Sequence, residues 1–476
     1  MDGSYAPGRR GPLVVVVGGG ASGTLTATHL LHVAAQAQAP LRVVLVDRHG
    51  RHGLGQAYAT QHPAHLLNAP ARQMSAVAGD PGHLVRWTGA TDSNGDGFLR
   101  RSDYGRYLSE TLAAAERRAY PVARVTRLTG DVVGIGRTAP GRPVRLHLAG
   151  QGLLEADYVV LATGNPPPVP PCPIPNGPRF ILDPWEPGAL EKVTDGSPVV
   201  ILGTGLTMND AALVVTDANP CCNVYSVSRH GLLPQVHRPM VASISGWLPA
   251  TLAMSNSTQV RLSDLMWQVR SAVAARPAGM WHEVVDTLRP HVPRLWQRLS
   301  PADKRLFLRH VAPYWEVHRH RMPPATAQRV TALRMTGRLN VERGRVTSVT
   351  DAPCGVRVRI DTDGTSREIA AGWLINCTGP GRDITRTADP LLRGLFASGQ
   401  ARPDPLRLGL DADSHGALLD AAGWPSPTLF TLGPPLRGSR YETTAIPEIR
   451  DQAAALAEHL VAAPVHAAHA RPGHAA

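Results

Sequence analysis

The chain has 476 residues, enough for two or three domains that each bury a core. Its 49 Lys+Arg against 37 Asp+Glu leave a formal charge of +12, but the excess is scattered Arg without a basic block or a basic-aromatic stripe, which argues against a nucleic-acid binder. The five cysteines form no even framework and no C-x-x-C pair, which fits a reduced, cytoplasmic protein, and no apolar run approaches the ~20 residues of a membrane span.

Leu13 to Val17 is an apolar run preceded by Gly-Arg-Arg-Gly-Pro, without the long apolar region of a signal peptide. Glycines follow, then residues 24–37 take helical spacing, so the start reads strand, tight turn, helix. A second apolar run at 41–46 ends in Asp47 and completes a strand-helix-strand unit. Gly18-x-Gly20-x-x-Gly23 thus stands where a dinucleotide fingerprint must stand. Gly18 permits the turn, Gly20 lets the backbone approach a pyrophosphate, and Gly23 lets helix and strand pack closely. Asp47 is placed to accept hydrogen bonds from a ribose diol. The competing reading is a glycine-rich turn.

Residues 128–164 read as two or three short β-runs closing on Thr163-Gly164, and a proline-rich crossing at 165–175 is stiffened by its fixed φ angles. The opening grammar returns at 198–215, with a following strand at 223–228. Gly203-Thr-Gly205-Leu-Thr-Met208 keeps two glycines and has Met208 for the third, so looser helix packing is expected. The following strand ends at Ser228-Arg229, with no carboxylate for a diol and a guanidinium able to fork onto a 2′-phosphate, favouring NADPH over NADH. The alternative is an Arg that only caps a strand end.

Residues 262–332 carry helical spacing around Trp267, Trp281, Trp296 and Trp315, without a strand pattern. Within this inserted helical region His318-Arg319-His320-Arg321 gathers cationic groups in one turn. His318, Arg319 and Arg321 are candidates to face a substrate carboxylate; the other reading is a basic helix end facing solvent or its own dipole. Residues 339–379 then repeat the β-runs and close on Thr378-Gly379, so each half pairs a strand-helix-strand unit with a β-meander. Beyond 461 the tail is Ala, His and Pro-rich and is expected to fray, its histidines too irregular for a metal site.

With Gly53-Leu-Gly55-Gln-Ala-Tyr58, His65-Leu-Leu-Asn-Ala-Pro70, Ser228-Arg-His-Gly-Leu-Leu-Pro234 and Arg319-His-Arg-Met322, these features resemble the FAD/NAD(P)-binding family of bacterial flavoproteins. That family includes a flavin-dependent aspartate N-oxygenase that makes nitrosuccinate. The resemblance runs from Val14 to Gln452 and includes Gly433-Pro-Pro-Leu-Arg-Gly438 and Glu442-Thr-Thr-Ala-Ile-Pro-Glu448. It implies FAD in the first unit and NADPH in the second, and adds Ser22, Arg48, Met74, Thr163, Gly164, Gly379, Gly433 and Glu442 to the cofactor-binding residues. More distantly the layout resembles the class B flavin monooxygenases. Leu66-Leu-Asn68-Ala-Pro-Ala-Arg-Gln-Met74 is similar to their stretch carrying an Asn beside flavin C4a, which supports the flavin hydroperoxide. The similarity implies a catalytic role for Asn68, whose other reading is a loop cap. Their Phe-Gly-His fingerprint is replaced here by Phe180-Ile-Leu-Asp-Pro-Trp185, a departure that weakens any expectation of ketone or sulfide substrates.

The expected fold is α/β: two Rossmann-like dinucleotide-binding domains, each with a β-meander, plus an inserted helical region. The FAD domain is placed at 1–170 and 375–461, the NADPH domain at 171–245 and 333–374, the insertion at 246–332 and a flexible tail at 462–476. The expected function is an NADPH-oxidising monooxygenase that uses molecular oxygen on an amino acid or small amine. Two alternatives stand beside it: a flavin oxidoreductase or dehydrogenase feeding a partner or quinone, and a nucleotide-binding regulator without turnover. No thiol pair is ready to take electrons from a flavin, which argues against a disulfide reductase.

Overall fold

The computed structural model describes residues 11–89, 95–137, 142–238, 259–353 and 355–462. Cys354, the start of the insertion through 258 and the tail from 463 lie outside the described residues.

Val14, Val15 and Val16 are wholly buried, because a run of valines suits a strand covered on both faces. Leu13–Val17 pairs in parallel with Leu41–Asp47 on one side and Tyr158–Leu161 on the other. The six-stranded sheet runs Ala417–Leu419, Pro425–Thr431, Tyr158–Leu161, Leu13–Val17, Leu41–Asp47, Ala123–Thr129. Ala417–Leu419, at its edge, joins antiparallel. Val14 and Val16 face a core built with the helices Ala21–Ala37, Arg101–Ala119 and Ile446–Ala462. Val15 and Val17 face the meander Val132–Ile135, Val144–Leu148, Gly152–Ala156.

The second sheet repeats this order: Leu339–Arg343, Val224–Ser228, Val199–Leu202, Trp373–Asn376, with Phe180–Ile181 at the far edge, all parallel. Its meander is Arg345–Ala352, Gly355–Thr362, Thr365–Ala371. The helices Leu206–Ala218 and Pro324–Met335 cover the opposite face. In both units the exit strand lies beside the first, so the two Thr-Gly exits emerge next to the two glycine turns.

Three expectations change. Pro324–Met335, placed in the insertion, buries Ala327, Val330 and Leu333 in the second core and leads directly into Leu339–Arg343. It is the crossover helix of the second unit, the counterpart of Arg101–Ala119 in the first. Trp373–Asn376 pairs wholly within the second sheet, so a division at residue 375 falls inside a strand. Met208 does not loosen its helix: it is fully buried in the core, the thioether filling what a glycine leaves to the backbone.

The two crossings between units support each other. Pro168 bridges Pro380, the Gly381 N–H donates to the Pro167 carbonyl at 3.0 Å, and the Thr378 hydroxyl donates to the Val169 carbonyl at 3.0 Å. The described part of the insertion contains the helices Leu262–Ala274, Trp281–Leu288, Val292–Arg298, Pro301–Leu306 and Ala312–Arg319. Although it interrupts the second unit, it docks on the last stretch of the first. Trp296 is buried there, stacks on Tyr441 with ring centroids 4.7 Å apart, and donates to the Gly438 carbonyl at 2.8 Å. Among the described residues no helix is long and apolar enough to cross a membrane.

Candidate active site

The two glycine turns have the same geometry. Gly18 and Gly203 have φ of +109° and +105°, and a Cβ on either would overlap the carbonyl oxygen of Ala162 or Cys377 at the neighbouring exit strand. Only glycine allows that approach. Gly23 is constrained by the Gly18 carbonyl. Gly20 and Gly205 are different: a Cβ on Gly20 would make only ordinary contact with the Gly55 Cα at 3.4 Å, and one on Gly205 would meet nothing within 4 Å. Both begin helices, Ala21–Ala37 and Leu206–Ala218, that have no side-chain cap and no carboxylate in the first turn.

Asp47 ties the first turn to the following loop. Its Oδ2 accepts from the Gly19 N–H at 3.1 Å, and its Oδ1 from the N–H groups of His49 and Arg51 at 3.0 and 2.9 Å. A carboxylate has about four acceptor sites, so one stays open to a diol. Arg48 turns away and pairs with Asp131 of the meander at 2.9 Å. Ser22 is buried beside Gly433, whose φ is +72° and whose N–H and carbonyl are held by Gln452 and Thr443 at 2.9 and 3.0 Å. Gly164 and Gly379 take φ of +72° and +77° in open space after their strands, with Thr163 half-buried before the first. Met74 is buried, its carbonyl accepting from the Tyr104 hydroxyl at 2.9 Å.

In the second unit, Ser228 bonds to the Thr204 hydroxyl at 2.8 Å and accepts from the Gly231 N–H at 3.0 Å, which fixes the strand end. Arg229 follows it, exposed, with no carboxylate partner among the described residues. Asn68 lies at the seam of the two units, half-buried, its side-chain amide unpaired among the described residues. The imidazole Nε2 of His237, from the second unit, sits 2.9 Å from its backbone oxygen.

The basic cluster is placed differently from its candidate role. Arg319 meets Glu442 at 3.2 Å, Arg321 grips both oxygens of Asp286 at 2.8 and 3.0 Å, and His318 bonds back to the Tyr314 carbonyl at 2.7 Å. Glu442 also accepts from the Trp315 indole at 3.0 Å. These side chains are committed to protein partners: Arg319 and Trp315 fasten the insertion to the segment ahead of the last helix, while Arg321 and His318 bond within the insertion. Arg289 adds a forked pair to Glu448 at 2.9–3.2 Å, a contact no motif announced.

Residues 15–166 match the profile of the FAD-NAD(P)-binding family. That segment holds the Gly18 turn, Asp47, Asn68 and Met74. Comparison with curated sequences finds no match. Among solved structures, the fold is similar to the reduced form of an ornithine hydroxylase from Pseudomonas aeruginosa, with TM-score 0.65 and 16% identity over 94% of this chain and 98% of that one. An L-lysine 6-monooxygenase from Pseudomonas syringae gives TM-score 0.61 at 15% identity, and an ornithine N-hydroxylase from Kutzneria sp. 744 gives 0.60 at 15%, each over 94% of this chain and 98% of the other. The likeness extends past the FAD-NAD(P)-binding segment to the second unit and the insertion.

Proposed function

We propose that the chain is an FAD-dependent, NADPH-oxidising monooxygenase that N-hydroxylates an amino acid or small amine. The observation that carries this reading is the pair of matching glycine turns on two units in contact, with the Asn68 amide, unpaired among the described residues, at their seam. The fold is shared at near full length with enzymes described as ornithine and lysine hydroxylases. The Kutzneria structure is described with reduced FAD, NADP+ and L-ornithine.

The residues present fit both cofactors. Two uncapped helix starts leave backbone N–H groups free for a pyrophosphate, and the Cβ-free faces of Gly20 and Gly205 leave room for it. FAD would lie over Gly18, Gly20, Ser22 and Gly23, with Asp47 on its ribose and Met74, Thr163, Gly164 and Gly433 bordering it. NADPH would lie over Gly203 and Gly205, with Ser228, Arg229 and Gly379 around it. The bound flavin supplies hydride acceptance and electron delivery to molecular oxygen. The chain itself aligns the two cofactors, neutralises phosphate charge, and presents the Asn68 donor and acceptor at the seam.

Arg229 is exposed and has no carboxylate partner among the described residues, so its fork is available to a 2′-phosphate. Arg229→Ala should lower the preference for NADPH over NADH by about 1.5–3 kcal/mol, the range of a charge-assisted hydrogen bond, read as the ratio of flavin-reduction rates with the two cofactors. Equal rates in the wild-type protein contradict the assignment.

The reaction is tested by incubating holoenzyme and NADPH with labelled oxygen and a panel of amino acids and diamines. One labelled oxygen atom should enter the nitrogen of a single preferred amine. NADPH consumption that yields only hydrogen peroxide with every amine favours the dehydrogenase reading.

A further inference from the structure

Residues 65–68 belong in sequence to the first unit, and their two ends are also held from the second, by Asp210 and His237. His65 is buried. Its Nδ1 meets the Thr60 hydroxyl at 2.7 Å and its Nε2 lies 3.3 Å from the Asp210 carbonyl oxygen. The Leu66 carbonyl accepts from Arg101 Nε at 3.3 Å, and the same guanidinium reaches the Asp210 carboxylate at 2.7 Å and covers the Trp185 ring at 4.8 Å. The Leu67 N–H donates to the Leu99 carbonyl at 2.8 Å. Asn68 ends the segment, its backbone oxygen 2.9 Å from His237 Nε2. Asp210 stands on the helix Leu206–Ala218, and His237 is fixed in turn by its N–H donating to the Met322 carbonyl at 2.9 Å.

Burial lowers both His65 and His237 to about 4, so both rings are neutral near pH 7. With a carbonyl facing it, His237 Nε2 carries the proton and donates. Burial also pushes the Asp210 carboxyl up to about 6, with Arg101 opposing that rise. The result is a backbone fastened at both ends beside a side chain that makes no hydrogen bond among the described residues. An Asn that only capped its loop would have its amide engaged in the loop.

We propose that the second dinucleotide unit sets the position of Asn68, with His237 as the positioning residue at one end of the segment and the Arg101–Asp210 pair as the clamp at the other. The inference rests on the reading of Asn68 as the group beside the flavin. Its consequence is a mechanical link: Asp210 lies five residues after Gly205 on one helix, so the turn that holds the nicotinamide cofactor and the segment that carries Asn68 share a rigid element.

The test uses FAD-loaded protein and four variants. His237→Leu should keep its FAD and its rate of reduction by NADPH, while amide hydrogen exchange across residues 65–70 rises about 2- to 10-fold, the loss of one hydrogen bond in a local opening. During turnover, the share of NADPH ending as hydrogen peroxide should rise severalfold. His237→Gln places an amide N–H where the imidazole Nε2 was and should restore both readouts. Asp210→Asn, measured by the same exchange, should loosen the His65 end. Exchange is recorded on the oxidised protein without NADPH and so is independent of turnover. Unchanged exchange at 65–70 in both His237→Leu and Asp210→Asn overturns the proposal, as does a rise in peroxide without any change in exchange. If Asn68→Leu itself leaves the peroxide share unchanged, the functional reading fails, and exchange still decides whether the second unit holds the segment.

Discussion

Gly20→Val should give a folded, colourless protein. The three glycines of the first turn do different physical work, and the structure separates them. Gly18 has φ +109° and touches the Ala162 carbonyl, while a Cβ on Gly23 would overlap the Gly18 carbonyl, so a side chain at either strains the backbone itself. Gly20 has φ −70°, open to any residue, and a Cβ there lies at ordinary contact from Gly55. A valine at 20 therefore fits the protein, but its methyl groups occupy the space over the uncapped helix start that a pyrophosphate must enter. The purified variant should lose most of its FAD absorbance while the unfolding free energy of the flavin-free forms changes by no more than about 1 kcal/mol. Gly23→Val should instead fail to fold. Full flavin content in Gly20→Val would mean that the cofactor lies over another loop.

The glycine turns were legible because their constraint is local: a strand, a residue with φ beyond the reach of side chains, and a helix are all adjacent in the chain. The repeat was legible for the same reason, since each unit writes its strands and its Thr-Gly exit in the same order. Pro324–Met335 was not, because helical periodicity shows that a helix has an apolar face but not which core receives it. Its assignment depends on the parallel pairing of Leu339–Arg343 with Val224–Ser228, over a hundred residues back in the chain. The basic cluster was misleading in a related way. A run of charge reports cations, whereas their partners, Glu442 for Arg319 and Asp286 for Arg321, lie 123 and 35 residues away. His237 and Asn68 are 169 residues apart, and nothing in either local sequence signals the contact.

Asn68→Leu should leave the flavin reducible and divert its electrons. Leucine keeps the Cγ branching and heavy-atom count of asparagine and has neither donor nor acceptor, and the Asn68 contact with His237 runs through the backbone oxygen, so the segment keeps its course. FAD content and the rate of reduction by NADPH should stay within about twofold of wild type, since no cofactor-binding turn is touched. What changes is the fate of the two electrons that each NADPH supplies. In the coupled reaction they reduce molecular oxygen so that one atom enters the amine and the other leaves as water; without coupling, both atoms leave as hydrogen peroxide. A fixed amide at a seam between two packed units is already oriented when charge develops on oxygen, and removing one such donor elsewhere costs roughly 10²–10³ in rate. Hydroxylated product per NADPH should therefore fall by a large factor in Asn68→Leu, with peroxide rising to match, so that product and peroxide together still account for the NADPH consumed. The measurement pairs stopped-flow reduction of the flavin with quantitation of both products. A variant that keeps the wild-type product share would make Asn68 a loop residue and place the oxygen-facing group elsewhere on the seam.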